Sequence, residues 1–117
     1  MKPLIYLILT IIPGYTGLSQ SLNRGKINEG DIIFQDLDCG SMCEAIEKVT
    51  KGWNGRSFSH IGLAVKNGDS LVVIESIGTS VCLTSLGSFL NRSKNRSGNS
   101  KVVVGRLKPK YRKLIPN

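Results

Sequence analysis

The chain has 117 residues, room for one small domain and no more. With 40% hydrophobic and 21% charged residues it has ordinary globular composition, which excludes a disordered polymer. A formal charge of +8 favours anionic partners, while 6% aromatic content leaves few stacking surfaces for nucleic acid, so no nucleic acid is expected.

The opening stretch, MKPLIYLILTIIPGYTGLSQ, is different in kind. One lysine precedes a short apolar run, then Pro13-Gly14 and small residues follow. This is the profile of a signal peptide, with Gly17 and Ser19 as the small residues before a cut at Gln20. The run is too short to cross a bilayer, which takes roughly 20 apolar residues; a buried core strand is the structural alternative. Cleavage removes Lys2, lowers the charge by one to +7, and leaves residues 20–117 as a single exported domain with no transmembrane anchor, periplasmic or secreted.

Past the cut, SLNRGKINEG reads as a loop and Asp31 to Leu37 as a short strand. Ser41 followed by Glu44 has the spacing of a capping box. Met42, Ala45, Ile46 and Val49 fall at helical spacing and Gly52 is a stop, so a helix is expected from about Ser41 to Lys51. Two apolar segments, HIGLAVK and SLVVIES, flank Asn67-Gly68-Asp69, a strong hairpin signal. TSVCLTS is a shorter strand, and LGSFLNRSK a helical turn with Ser85 as a possible cap. Residues 91–100 form a polar, basic, flexible loop, KVVVGRLK is a last strand, and a helix starts after Pro109. The order β-α-β-β-β-α-β implies an α+β fold with a mainly antiparallel sheet and one packed helix.

Cys39, Cys43 and Cys82 are an odd set, so at least one thiol is left unpaired within the chain. Cys39 and Cys43 lie four apart, which shares a face of a helix but suits a disulfide there poorly. A zinc site needs more ligands than the single histidine, His60, supplies, so neither metal nor other cofactor is expected.

The hairpin carries the chemistry. If Asn67-Gly68 is the two-residue turn, Lys66 faces Asp69 and His60 falls directly opposite Glu75. Opposed Cβ atoms lie roughly 4.5–5.5 Å apart on one face, so imidazole and carboxylate can bond. The carboxylate would fix the ring tautomer and favour the imidazolium. One extra loop residue would instead put Glu75 on the other face. A salt bridge at a strand end is the structural alternative to a catalytic pair. Yet a buried carboxylate in LVVIES needs a partner, and a histidine with its orienting acid is two thirds of a nucleophilic triad.

These pieces, in order, are GDIIFQ, a helix, FSHIGLAV, VVIES, TSLGSFLNR and VVVGRL. The set resembles the permuted papain-like amidohydrolases, the YiiX/YebB-like branch of the NlpC-type superfamily, over nearly all of the mature chain. The resemblance implies a circularly permuted papain-like fold, incomplete at its C-terminus. It also implies a thiol-dependent amidase or peptidase acting on amide or ester bonds of cell-wall peptides or lipids, with His60 as base and Glu75 as orienter. The family's cysteine follows the VVVGRL-type strand, and no cysteine follows Cys82, so the nucleophile is expected beyond this chain. Cys39, just ahead of the first helix, is the resident alternative nucleophile, with packing as its structural role. Gln35, at the end of the first strand, is a candidate oxyanion donor or a solvated strand end. Ser59 is expected to bond locally, and Trp53 to cover the helix or line the cleft. A different class of function is a non-catalytic binding module whose basic segments, Lys94 to Arg96 and Lys108 to Lys113, hold anionic wall polymers.

Overall fold

The computed structural model describes residues 27–114, so the expected signal peptide lies outside the described residues. Strand β1 (Ile32–Gln35) is followed by helix α1 (Ser41–Val49) and then by the meander β2 (His60–Asn67), β3 (Ser70–Ile77) and β4 (Ser80–Ser85). Helix α2 (Leu86–Asn91), strand β5 (Val102–Gly105) and the single turn α3 (Pro109–Arg112) complete the chain. The strands form one antiparallel sheet in the order β4-β3-β2-β1-β5, so the fold is α+β, as expected.

Both hairpins of the meander turn on a glycine in the left-handed region, Gly68 (φ 61°) and Gly78 (φ 64°), each followed by a residue with ordinary φ. Positive φ at the first central residue alone is the pattern of a type II′ turn, which suits the twist of the flanking strands. The first turn is therefore Gly68-Asp69 closed by the pair Asn67 and Ser70, one residue later than the expected Asn67-Gly68 turn. That moves the register by two, and a shift of two keeps every side chain on its face.

Alternation along the paired strands separates two faces. The inner face carries Ile33, Ala64, Val73 and Val102, which join Ile27 and the α2 residues Phe89 and Leu90 in the core. The outer face carries Ile61, Leu63, Ile74, Val81 and Leu83, all exposed. At its β1–β5 end, Phe34, Val103, Trp53 and Phe58 line a cavity of about 440 Å³, which Thr50 at the end of α1 also lines.

The packed helix is α2, not α1. Ser85 caps α2 as expected, its Oγ accepting from Ser88 N at 3.1 Å. Helix α1 ends at Val49 and opens on Gly40, which makes no side-chain cap bond, in place of the expected Ser41 capping box. Gly40 has φ 78° and ψ −150°, a conformation that suits glycine and sharply redirects the chain before Ser41. The stripe expected to face the core is in solvent, with Met42 71% and Val49 86% exposed, and Cys43 is the buried residue of the helix. Within the 91–100 loop, Asn95 Oδ1 accepts from Ser97 N and Asn99 N, and Asn95 N donates to Asn99 O.

Candidate active site

Three strands and one helix converge on Glu75. It sits on the inner face of β3 opposite Gly62 of β2 and Cys82 of β4, and is 2% exposed. The missing side chain at Gly62 opens a gap on that face. The Phe89 ring lies close over it, because a Cβ built on Gly62 would stand 2.3 Å from Val73 Cγ1 and 2.9 Å from Phe89 Cε2. Glu75 leans along the sheet to its diagonal neighbour His60, a separation of roughly 7–8 Å between backbones that long side chains bridge. Glu75 Oε2 and His60 Nε2 meet at 2.6 Å.

The carboxylate holds three more bonds. Arg92, the C-cap of α2, donates from Nη1 to Oε2 and from Nη2 to Oε1, both at 2.7 Å. Thr84 Oγ1 donates to Oε1. A carboxylate offers about four lone-pair sites, and here four donors fill them. Burial alone would push the Glu75 carboxyl up; the hydrogen bonds of Arg92, Thr84 and His60, with the Arg92 charge, override it and hold the group at about 2. Glu75 is thus an ionised acceptor. His60 Nε2 is then the donor, and in the neutral ring Nδ1 carries the lone pair. Nδ1 makes no hydrogen bond with another described residue.

Phe89 fixes the setting. Fully buried, its ring centroid stands 5.9 Å from the His60 ring and 5.5 Å from the Arg92 guanidinium carbon. Its carbonyl accepts from Gln35 Nε2 at 2.7 Å.

Of the sequence candidates, His60 and Glu75 are brought together, though diagonally and not face to face. Gln35 is the direct strand partner of His60. It is fully buried, not a solvated strand end, and its amide nitrogen donates to Phe89 O while its Oε1 has no partner among the described residues. Its observed task is to tie β1 to α2. Cys39 is corrected as a candidate nucleophile, since it forms a disulfide with Cys43 and offers no thiol. The expectation against that disulfide assumed both residues on the helix. Cys39 stands before the Gly40 turn, where the chain brings the two Cα atoms within 5.3 Å. Cys82 is the free cysteine; its Sγ lies 3.7 Å from Thr84 Oγ1, and β3 separates it from His60 by two strand spacings, roughly 9–10 Å. Ser59 does not bond locally as expected but to a residue distant in sequence: its Oγ accepts from Leu37 N at 3.0 Å and donates to Leu37 O at 3.3 Å, pinning the entry to β2 beside His60.

Arg92 and Thr84 were not foreseen. The signal for Arg92 was the carboxylate itself, because a neutral imidazole cannot offset a buried charge and a cation had to come from somewhere. Thr84 lies at an inner position of β4, at even spacing from Cys82.

A family model for the permuted papain-like amidase enzymes, YaeF/YiiX, peptidase family C92, matches residues 26–116. No curated protein and no solved structure matches the chain. The match spans the whole sheet and the site built on it, and the chain belongs to this family of permuted papain-like amidases.

Proposed function

We propose that this protein is an exported thiol-dependent amidase or peptidase in which His60 is the general base and Glu75 its orienter. The observation that carries the reading is the part-buried bond from His60 Nε2 to the ionised Glu75, which in the neutral ring leaves Nδ1 as the open basic atom. A thiol placed at Nδ1 would lose its proton to the ring. The resulting thiolate would attack the carbonyl of an amide or ester, giving a thioester, with the ring returning the proton to the leaving group before water releases the acid. The nucleophile is a cysteine outside these 117 residues, a reading supported by the disulfide at Cys39 and Cys43 and by the intervening strand at Cys82. That disulfide also supports export, because such bonds persist in oxidising compartments. The substrates are cell-wall peptide or lipid amides and esters, with the exposed Lys108, Lys110 and Lys113 drawing the enzyme to anionic wall polymers.

The test is hydrolysis of fluorogenic amide substrates by the protein carrying the chain that follows residue 117. Turnover is expected there, with a loss of ~100-fold or more in His60→Ala, the scale of general-base catalysis. Robust turnover by the 117-residue chain that survives both Cys39→Ala and Cys82→Ala would refute the missing-thiol reading.

A further inference from the structure

We propose that Arg92 is a positioning residue that decides which nitrogen of His60 carries the proton. The inference rests on the proposed role of His60 as base. Three residues supply the four donor atoms on Glu75, and of these only Arg92 brings a full charge irrespective of the state of the ring. Its two-pronged contact fixes the plane of the carboxylate, so that Oε2 points at His60 Nε2 while Oε1 is taken by Thr84. It also keeps Glu75 ionised, and an ionised carboxylate can only accept. His60 must then donate from Nε2 and leave Nδ1 open.

Without that guanidinium the buried carboxylate has two ways to lose its uncompensated charge. It can take a proton, become a donor, and give a hydrogen bond to Nε2; the ring proton then moves to Nδ1 and the basic atom is gone. Or it can hold the ring as imidazolium, which is not a base either. The remaining groups near the pair do not replace Arg92. Gln35 is committed to Phe89, Thr84 is neutral, and Cys82 carries no positive charge. The Phe89 ring beneath the guanidinium holds Arg92 in place, since a cation over an aromatic face is attracted to it.

His60 is the only histidine in the sequence, so the nitrogen spectrum of its ring can be read in the 117-residue chain without ambiguity. At a pH where the ring is neutral, the Nε2–H form should exceed the Nδ1–H form by ~10-fold or more, the bias a hydrogen bond to a charged group supports. Arg92→Gln, which keeps a donor but no charge, should cut that ratio at least ~3-fold or leave the ring as imidazolium. Arg92→Lys should largely restore the ratio, because it keeps Glu75 ionised, while its Nε2–H exchanges several-fold faster with solvent (about 3-fold or more) for want of the second prong. An unchanged ring spectrum in folded Arg92→Gln overturns the proposal. If that variant does not fold, unchanged exchange in Arg92→Lys overturns it. Either result stands whatever the hydrolysis assay gives, whereas intact hydrolysis in His60→Ala removes the reading of function and not the control of the tautomer.

Discussion

Glu75 is the strand partner of Gly62, and yet its carboxylate bonds to His60, two residues away along β2. The diagonal contact exists because position 62 has no side chain to block it, and because the Phe89 ring descends into the same gap. Gly62→Ala should therefore be destabilising although alanine is otherwise better tolerated in a strand than glycine. A Cβ at 2.3 Å from Val73 Cγ1 and 2.9 Å from Phe89 Cε2 forces both neighbours to move. Overpacking of this kind costs roughly 1–3 kcal/mol. Urea denaturation should show a lower midpoint at unchanged slope, and a midpoint at or above that of the unsubstituted protein would mean that Phe89 does not pack on Gly62.

Acid should weaken the fold through the same carboxylate. The Glu75 carboxyl sits at about 2 against an ordinary 4.5, so the unfolded chain binds its proton more readily than the folded one. The stabilisation is complete above pH 4.5, declines as the pH falls through that window, and is lost below about 2. Its size is on the order of 3 kcal/mol. Asp31, buried and held by Arg106 with a carboxyl also below its ordinary value, adds to the trend with the same sign. Glu75→Gln should lower stability at neutral pH, since it strands the Arg92 charge, and should flatten stability against pH between 4.5 and 2. An equally steep profile in that variant would show that Glu75 is not the titrating group.

The pairing of His60 with Glu75 was legible because two short strands around Gly68 leave few registers, and only an odd slip would have parted them. The turn was placed one residue early because Asn-Gly and Gly-Asp both satisfy hairpin chemistry, and the choice between type I′ and type II′ turns is made by the whole sheet and not by the dipeptide. The apolar spacing of Met42, Ile46 and Val49 correctly indicated a helix but not what it faces, since periodicity reports amphipathicity and not a partner. Arg92 was hidden for a different reason. Its partner is 17 residues away on another element, and nothing local in FLNRS points to a carboxylate.

Thiol counting tests the Cys39–Cys43 disulfide directly. The native protein should release one equivalent of thiol to a chromogenic reagent in denaturant, from Cys82, and three after reduction, since the sequence holds three cysteines. Three equivalents before reduction, in protein prepared under oxidising conditions, would mean that Cys39 and Cys43 are not bonded and would reopen Cys39 as a nucleophile.

The two helices make a last and opposite pair of predictions. Helix α2 is six residues long, far too short to persist by itself, so its stability comes from what Phe89 and Leu90 bury. Phe89 belongs to the core, lies near the His60 ring and sits under the Arg92 guanidinium, and Phe89→Ala should cost roughly 3–5 kcal/mol, as large aromatic truncations in cores do. Met42 and Val49 look equally apolar in the sequence, but they are 71% and 86% exposed. Met42→Ser and Val49→Ser should each change stability by no more than about 0.5 kcal/mol. The comparison by urea denaturation is a direct test of which helix closes the core. If the α1 substitutions cost as much as Phe89→Ala, the exposed stripe is covered in solution, and α1 rather than α2 is the helix that packs on the sheet.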